Sequence, residues 1–278
     1  MPPSINYDSP VALKAFLDAH GLGMKKRFGQ NFLINPAVRK RLIDELELSS
    51  DGEVWEIGPG LGAMTAGLLD RGAAVKAFEI DPGFIRILQD MFGSHPRFSL
   101  IAGDALKTWR AAGTGSYLLG NLPYTIAARL LGILIEENRL FTRIVVTVQR
   151  EVAQRMCALP GSKNYSSFSV LCASAYTVKP LMVLKGGSFY PVPHVDSQGV
   201  RLDLRKRQYP PGFHRLVRHL FASRRKTLKN NLQSFTDAPD DILQKCGIAP
   251  DRRAETLELE AFIALAETLE QTRRSGGG

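Results

Sequence analysis

Short apolar runs alternate with helically spaced apolar positions over the first two-thirds of the chain. Runs rich in Val, Ile, Leu and aromatic residues predict buried strands, and apolar residues three or four positions apart predict helices that cover them. Strands alternating with helices imply right-handed βαβ units and a parallel sheet. The predicted strands are 54–57, 75–79, 98–102, 117–119 and 144–148, and the predicted helices are 9–20, 36–48, 63–69 and 83–91.

The pattern changes after the fifth predicted strand. Two further apolar runs, 169–178 and 200–204, predict strands joined by a Gly- and Pro-rich segment that is too short for a crossover helix. We therefore expect these two strands to be antiparallel. A linker follows near residue 206, and after it only helical patterns occur, over 213–223, 226–235, 240–246 and 259–270. The sequence thus predicts an α/β domain over 1–206 and a small all-α domain over 207–278.

Positive charge is concentrated in two segments of the 278-residue chain, whose formal net charge is +9. Residues 201–231 hold ten Lys or Arg residues and one acid, Asp203, and residues 24–41 hold six basic residues and no acid. The remainder carries more acids than bases. A mildly acidic body with two basic segments predicts a polyanionic partner such as a nucleic acid, although basic surfaces that are merely solvated are also common.

The cysteines and the apolar content indicate the setting of the protein. Cys157, Cys172 and Cys246 are far apart and odd in number, which argues against a disulfide framework and against a zinc site. No apolar run approaches the roughly 20 residues that a membrane helix needs. The first residues also lack the basic-then-apolar plan of a signal peptide. We therefore expect a cytoplasmic protein that uses no metal ion and makes no membrane contact.

A glycine-rich loop, Gly58 to Gly62, follows the first predicted strand of the alternating region and opens a helix. Glycines at such a turn let the backbone approach a ligand closely. Glu79 ends the next strand, where a carboxylate can accept both hydroxyl groups of a ribose. Asp104 follows the third strand and is placed to bind an adenine amino group. This set does not separate a dinucleotide from S-adenosylmethionine, and a packing turn with surface acids is the simpler alternative.

The segment Gly120 to Tyr124 follows another predicted strand, at the end where open α/β sheets bind ligands. An amino group on a planar base needs acceptors for its hydrogens and a ring against the base if it is to be methylated. The Asn121 side-chain oxygen and the Leu122 carbonyl are candidate acceptors, Tyr124 is a candidate ring, and Pro123 stiffens the backbone. Alone, Asn-Leu-Pro also fits an ordinary turn at a strand end.

Together these motifs resemble the KsgA-type ribosomal RNA adenine dimethyltransferases. The resemblance rests on an ordered set: Lys26–Leu33, Glu56–Gly62, Glu79–Asp81, Gly103–Ala105, Asn121–Tyr124, Phe189–Ser197 and Arg224–Leu232. It covers nearly the whole chain and implies a Rossmann-like, seven-stranded class I methyltransferase sheet with a helical domain that docks on RNA or the ribosome. One departure is His194, where the family pattern has a lysine, and we expect it to weaken one RNA contact without altering the chemistry.

The resemblance implies transfer of methyl groups from S-adenosylmethionine to N6 of two adjacent adenines near the 3′ end of small-subunit (16S) rRNA during ribosome assembly. S-adenosylhomocysteine would be the product, the rRNA and the assembling small subunit the partners, and the protein a monomer. Three alternatives stay open. They are an RNA-binding assembly or transcription factor on a methyltransferase fold, a related 23S rRNA adenine methyltransferase, and a methyltransferase of protein glutamine or DNA amino groups.

The residues implied by the resemblance fall into three sets. The catalytic set consists of Asn121, Leu122, Tyr124 and Phe189, with Phe189 as a second ring that stacks on the base. The cofactor-binding set consists of Gln30, Asn31, Leu33, Gly58, Gly60, Glu79, Ile80, Asp104, Ala105 and Asn121. The RNA-binding set consists of Lys25, Lys26, Arg27, Arg224, Arg225, Lys226 and Lys229. No metal ligand is expected.

Overall fold

The computed structural model describes residues 5–23, 30–123 and 126–275. The strands are β1 (Phe32–Leu33), β2 (Glu53–Ile57), β3 (Ala74–Glu79), β4 (Phe98–Ala102), β5 (Tyr117–Asn121), β6 (Arg143–Gln149), β7 (Tyr176–Leu184), β8 (Phe189–Tyr190) and β9 (Ser197–Leu204). The helices are α1 (Pro10–Ala19), α2 (Pro36–Asp44), α3 (Ala63–Leu69), α4 (Pro82–Phe92), α5 (Ala105–Thr108), α6 (Ala127–Glu136), α7 (Arg150–Met156), α8 (Ser167–Ala175), α9 (Phe213–Ala222), α10 (Leu228–Leu232), α11 (Pro239–Lys245) and α12 (Leu259–Ser275).

Three helices of the α/β region begin at a capping side chain that is followed by proline. The side chains of Ser9, Asn35 and Asp81 accept hydrogen bonds from backbone N–H groups in the first turns of α1, α2 and α4. Proline suits the next position because its missing N–H has no helical partner there and its φ is already helical. These signals are local, and they start each helix directly after a loop. Within the described ranges, no helix combines the length and apolarity needed to cross a membrane.

The strands other than β1 and β8 form one seven-stranded sheet, in the order β4-β3-β2-β5-β6-β9-β7. The pairs β2–β3, β3–β4, β2–β5 and β5–β6 are parallel. β9 is antiparallel to β6, in a register that runs from Arg143↔Asp203 to Gln149↔Ser197. The predicted α/β fold with a seven-stranded class I methyltransferase sheet is therefore confirmed. Because the first five strands of the order are parallel, their carboxyl ends meet along one edge.

The prediction of a strand over 169–178 is wrong. Residues Ser167–Ala175 form helix α8, and the strand β7 starts only at Tyr176. Phe168, Ser169, Val170, Leu171 and Cys172 are all buried, so this segment is buried on nearly every side and its apolar residues show no helical periodicity. A run of this kind cannot be assigned from periodicity alone. The local signal is at its start, where Ser166 N–H donates to Ser169 Oγ at 3.0 Å and α8 begins.

The helix predicted over 226–235 is shorter than expected, and this changes the geometry of the basic segment around it. Thr227 caps α10, since its Oγ1 accepts from Asn230 N–H at 3.4 Å, and the helix spans only Leu228–Leu232. A capping threonine has extended backbone geometry and cannot continue a helix that started before it. Arg225 therefore lies in the preceding turn and does not share a helical face with Lys229.

Contacts divide the chain into two compact units. One unit consists of residues 1–131, 140–153 and 178–204, and it contains the cluster of buried residues that packs on β2, β3, β5 and β6. The other consists of 132–139, 154–177 and 205–278, with a core that includes Phe213, Leu220, Leu232 and Phe262. The second unit thus takes in residues 132–139 and 154–177, which the predicted boundary at residue 206 assigned to the first domain.

Candidate active site

A cavity of about 290 Å³ opens at the carboxyl ends of the parallel strands, within the first unit. Its walls include the loops that follow β2, β3, β4 and β5, together with the segment around β1. All residues of the predicted cofactor-binding set line it: Gln30, Asn31, Leu33, Gly58, Gly60, Glu79, Ile80, Asp104, Ala105 and Asn121. The structure therefore brings together side chains that are up to 91 positions apart in the sequence (Gln30 to Asn121). Their contacts with a cofactor stay a prediction.

The glycine loop after β2 forms one side of this cavity, and its backbone requires glycine at two positions. Gly60 has φ of +61°, and a Cβ built on it would lie 3.0 Å from a ring carbon of Phe32. Gly62 has φ of +88°, and its Cβ would lie 2.5 Å from the ring of Phe92. Positive φ and such short approaches both require glycine. The loop backbone can consequently lie close to a bound ligand.

Glu79 is held rigidly at the end of β3. Its Oε1 accepts from the N–H groups of Ile80 (2.9 Å) and Asp81 (2.8 Å), and its Oε2 accepts from Gly60 N–H at 3.2 Å. The residue is only 5% exposed. Burial raises the pKa of Glu79 to about 7, although the three backbone donors oppose this shift. The carboxyl is thus fixed in direction and retains acceptor capacity towards the cavity that it lines.

Glu56 is a second buried carboxyl, on the neighbouring strand β2, and its sequence motif gives it no separate role. It is fully buried, and Thr65 Oγ1 donates to its Oε2 at 2.6 Å. Burial, with a smaller contribution from the nearby Glu79 carboxyl, raises the pKa of Glu56 to about 7. Two poorly solvated carboxyls therefore lie at the same end of the sheet, and both have raised pKa values, which composition alone does not reveal.

Asp104, which follows β4, and Gln30, which precedes β1, line another wall of the cavity. Asp104 caps α5, with Oδ1 accepting from Leu106 N–H at 3.0 Å, and its side chain is half-buried. Gln30 Nε2 donates to Asp81 Oδ2 at 3.0 Å, which ties the residues before β1 to the end of β3. No group of three or more metal-ligating side chains is found among the described residues.

Asn121 lies at the carboxyl end of β5 with its side-chain amide held on two sides. Nδ2 donates to the Asn31 carbonyl at 2.7 Å, and Oδ1 accepts from Thr147 Oγ1 at 2.5 Å. Leu122 N–H donates to the Thr147 carbonyl at 3.0 Å, so the backbone after Asn121 is anchored on β6 as well. The amide that the sequence singles out is therefore oriented by residues from two other parts of the chain.

Of the two aromatic residues of the catalytic set, only Phe189 lies within the described residues. Tyr124 lies outside the described residues, and its role stays a prediction. Phe189 pairs with Leu33 across the β8–β1 ladder, but its side chain is 1% exposed and packs among buried apolar residues. The ring does not line the cavity. Stacking of Phe189 on a base would require the ring to be uncovered first. The side chain of Leu122 is also buried. The role predicted for Leu122 belongs to its backbone carbonyl.

Tyr7 and Arg39 line the cavity and were not identified from the sequence. Tyr7 OH donates to the carbonyl of Leu61 at 2.9 Å, and Arg39 Nη1 donates to the carbonyl of Leu33 at 2.7 Å. Arg39 also pairs with Asp8. These contacts join the N-terminal segment to the glycine loop and to β1. No sequence motif marks them, because each depends on a contact between residues far apart in the chain.

The predicted RNA-binding residues of the second unit surround the start of α10. Arg224, Arg225 and Lys226 are exposed in the turn before the helix. Arg224 Nε lies 3.2 Å from a Glu255 carboxylate oxygen, and Lys229 Nζ lies 2.7 Å from Asp240. Two of the four cations are thus partly neutralised within the unit. Lys25, Lys26 and Arg27 lie outside the described residues.

The strand order, the antiparallel β9 and the cavity at the carboxyl ends of the parallel strands define a class I methyltransferase fold. In agreement, the crystal structure of the 23S rRNA methyltransferase ErmE matches with a TM-score of 0.63 and 23% identity, over 86% of this chain and 99% of that chain. The chain belongs to the ribosomal RNA adenine dimethylase family, whose sequence model matches residues 21–271. The family that the motifs resembled is thereby confirmed.

Two further relatives support this assignment. A protein of Treponema denticola named ribosomal RNA small subunit methyltransferase A is 42% identical over 280 residues, which cover 95% of this chain and 96% of the relative. The crystal structure of a dimethyladenosine transferase from Plasmodium falciparum matches with a TM-score of 0.74 and 25% identity, over 87% of this chain and 97% of that chain.

Proposed function

We propose that the protein transfers methyl groups from S-adenosylmethionine to N6 of two adjacent adenines near the 3′ end of small-subunit (16S) rRNA during ribosome assembly. The observation that carries the proposal is the Asn121 amide, which lies on the cavity wall and is bonded through Nδ2 to Asn31 of the cofactor-binding set. Membership of the ribosomal RNA adenine dimethylase family supports the substrate class.

The residues of the cavity fit S-adenosylmethionine. Gly60 lines the cavity without a side chain, the fixed Glu79 carboxyl suits two ribose hydroxyls, and Asp104 suits an adenine amino group. Bound there, the cofactor would supply a methyl group on a sulfonium, from which S-adenosylhomocysteine departs as a neutral thioether. The remaining task of the protein is to hold the two reactants in position, which is a large contribution to catalysis in such reactions.

The polar groups around Asn121 would act on the target amine. The lone pair of adenine N6 is delocalised into the ring, so the nitrogen is a weak nucleophile. Hydrogen bonds from its N–H groups to Asn121 Oδ1 and to the Leu122 carbonyl would favour a pyramidal nitrogen and stabilise the positive charge that develops on it. The cationic nitrogen formed by the transfer is strongly acidic and releases its proton to water, so this arrangement requires no strong general base. Two methylations of one nitrogen also require room for the monomethyl product.

The target base has to leave its stack to reach these groups, at a cost of a few kcal/mol. We expect Tyr124 to stack on the extruded base and to return roughly 1–3 kcal/mol. Phe189 is assigned the same role from the family pattern, and its burial means that this role involves a rearrangement of the β8 region. The base-binding functions of both rings are part of the proposal.

We propose that the basic turn before α10 docks rRNA through its phosphates. Arg224, Arg225 and Lys226 are consecutive and exposed, and cations of this kind bind a polyanion without reading its sequence. The predicted partners are small-subunit rRNA and the assembling subunit, and we expect the protein to act as a monomer in the cytoplasm. The basic segment with Lys25, Lys26 and Arg27 is a second predicted contact.

Mass spectrometry of small-subunit rRNA tests the proposed function directly. A strain that lacks the protein should lose N6,N6-dimethyladenine at two adjacent positions, and the wild-type gene should restore both. A gene carrying Asn121→Ala should not restore them. Full dimethylation in the strain without the protein would contradict the proposal, and binding of radiolabelled S-adenosylmethionine by the purified protein distinguishes an enzyme from an RNA-binding protein that only retains the fold.

A further inference from the structure

Thr147 is an exception to the pattern of its strand. It lies within Ile144-Val145-Val146-Thr147-Val148, the central part of β6, and it is fully buried like its neighbours. Valine has nearly the same shape and fits a buried strand without a polar group. A buried hydroxyl is costly unless it is hydrogen-bonded. The hydroxyl of Thr147 therefore calls for a partner, and that partner is the Asn121 side chain.

The register of the sheet sets this pairing. Asn121 of β5 lies opposite Thr147 of β6 in the parallel ladder. Thr147 contacts the site twice, since its Oγ1 donates to Asn121 Oδ1 at 2.5 Å and its carbonyl accepts from Leu122 N–H at 3.0 Å. The side chain and the peptide that would hold the target amine are consequently both attached to one residue of the neighbouring strand.

The contacts define which end of the Asn121 amide carries the oxygen. The Asn31 carbonyl is only an acceptor, so the group facing it at 2.7 Å has to be the Nδ2 donor. Oδ1 then faces the hydroxyl of Thr147, which donates to it. If the amide turned over, its oxygen would meet the Asn31 carbonyl with two acceptors opposed. Because a carboxamide oxygen has two lone pairs, one remains for an incoming N–H group.

We propose that Thr147 is a positioning residue for methyl transfer, which orients the Asn121 amide so that its oxygen accepts from the target amine. The inference rests on the proposed function. It gives Thr147, which lies outside the sequence motifs, a part in the chemistry. Thr147 itself does not line the cavity, so its effect passes through Asn121. The Asn31 contact links the same amide to the cofactor-binding set, whereas Thr147 acts on the opposite end.

The test compares Thr147→Val with Thr147→Ser in the full-length protein. T147V removes only the hydroxyl and should lower kcat for undermethylated small subunits by at least about tenfold, since small losses of alignment have large effects on such steps. KM for the subunit and the Kd for S-adenosylmethionine should change less than about twofold, because T147V removes no side chain that is proposed to touch the subunit or the cofactor. T147S restores the hydroxyl and should bring kcat back to within about threefold of wild type.

NMR of the Asn121 side chain gives a readout that does not depend on activity. Its NH₂ resonances are assigned by their absence in N121A, and they should shift in T147V and remain close to wild type in T147S. T65V is the matched control because it removes another fully buried threonine hydroxyl, the donor to Glu56. T65V should lower the melting temperature without shifting the Asn121 resonances.

The outcomes separate this inference from the proposed function. A T147V protein that turns over at the wild-type rate, while the wild type is active, overturns the inference alone. Unshifted Asn121 resonances in T147V overturn it as well, whatever the rates. Absence of methyl transfer by the wild-type protein would overturn the proposed function and the inference together.

Discussion

The N–H of Gly60 donates a hydrogen bond of 3.2 Å to Oε2 of Glu79, and so joins the glycine loop after β2 to the end of β3. Two motifs that are 19 positions apart in the sequence therefore form one rigid wall of the cavity. The bond uses one carboxylate oxygen of Glu79, while the other oxygen accepts from the Ile80 and Asp81 backbones. The carboxyl is consequently both a ligand candidate and a structural link.

This relationship predicts the effect of Glu79→Gln. The amide group would replace one carboxylate oxygen by a donor, so at least one of the three backbone bonds or a ribose bond is lost. Charge-assisted hydrogen bonds are roughly twice as strong as neutral ones. We expect the Kd for S-adenosylmethionine to rise by at least about tenfold, with a smaller change in the rate of transfer at saturation. Isothermal titration decides this, and an unchanged Kd would exclude Glu79 as the ribose ligand.

Asn121→Ala should abolish methyl transfer while the fold persists. The substitution removes the acceptor proposed for the target amine and leaves the Thr147 hydroxyl and the Asn31 carbonyl without this partner. We expect a loss of about 1–3 kcal/mol in the free energy of unfolding from the unpaired groups. Circular dichroism and chemical denaturation check the fold, and methyl incorporation into undermethylated subunits measures the activity. Near-normal turnover would contradict the role of Asn121.

The walls of the cavity could be predicted from the sequence because their signals are local. A glycine loop after an apolar run, and acidic or amide residues directly after later runs, mark strand ends. Parallel pairing then brings Gly60, Glu79, Asp104 and Asn121 to one edge of the sheet. The chain order of these motifs was enough to identify the family, which the comparisons confirm.

Other parts of the fold and the site depend on contacts that no local pattern contains. Helix α8 reads as a strand because it is buried on nearly every side and its apolar residues show no helical periodicity. Thr147 reads as one more strand residue until the register places it against Asn121. Arg39 reads as a basic surface residue of α2, yet it is 9% exposed and lines the cavity. Each of these features is decided by tertiary packing, which overrides local preference.

The raised pKa of Glu56 predicts that stability falls as the pH rises. Its folded-state pKa of about 7 lies above the ordinary value of 4.5, so the folded protein binds more protons than the unfolded chain between these values. The contribution of Glu56 to the free energy of unfolding is fully present below pH 4.5 and is lost as the pH rises through 7. Glu56→Gln keeps the shape and removes the charge, so at pH 8 it should stabilise the protein by up to about 3 kcal/mol.

Urea denaturation of the wild type and E56Q from pH 5 to pH 8 measures this effect. The difference between the two proteins should grow with pH, since only the wild type must hold a buried carboxylate at pH 8. A difference that is constant across this range would show that Glu56 has an ordinary pKa. Glu79 also has a raised pKa and remains in both proteins, so the comparison isolates the titration of Glu56 together with its interaction with Glu79.

Glu47 provides a contrast of opposite sign. It bridges Arg201 (2.6 Å) and Arg143 (2.7 Å), and these hydrogen bonds lower the pKa of Glu47 below 4.5. Its contribution to stability is present above pH 4.5 and is lost as the pH falls through the lowered value. Glu47→Gln should therefore destabilise the protein at pH 7 and make no difference in strong acid. Denaturation at pH 7 and near pH 3 checks this, and an equal loss at both values would contradict the ion-pair assignment.

The exposed cations before α10 predict a salt-dependent contact with the small subunit. Among the described residues, no ion pair involves Arg225 or Lys226, whereas Lys229 is paired with Asp240 at 2.7 Å. We expect Arg225→Ala with Lys226→Ala to weaken binding to undermethylated subunits and to reduce the slope of log Kd against log salt. Each lost phosphate contact removes about 0.7–0.9 from that slope. The Kd for S-adenosylmethionine should stay at its wild-type value.

Lys229→Ala is the matched control for this double variant. Lys229 belongs to the same basic segment, but its charge is already opposed by Asp240. Removal of the Lys229 side chain should therefore change the salt slope by less than the amount expected for one phosphate contact. Filter binding at several salt concentrations measures all three proteins against the same subunit preparation. If R225A/K226A retains the wild-type slope, phosphate docking through this turn is excluded. The segment with Lys25, Lys26 and Arg27 would then be tested by alanine substitutions and the same titration, because basic residues are also concentrated there in the sequence.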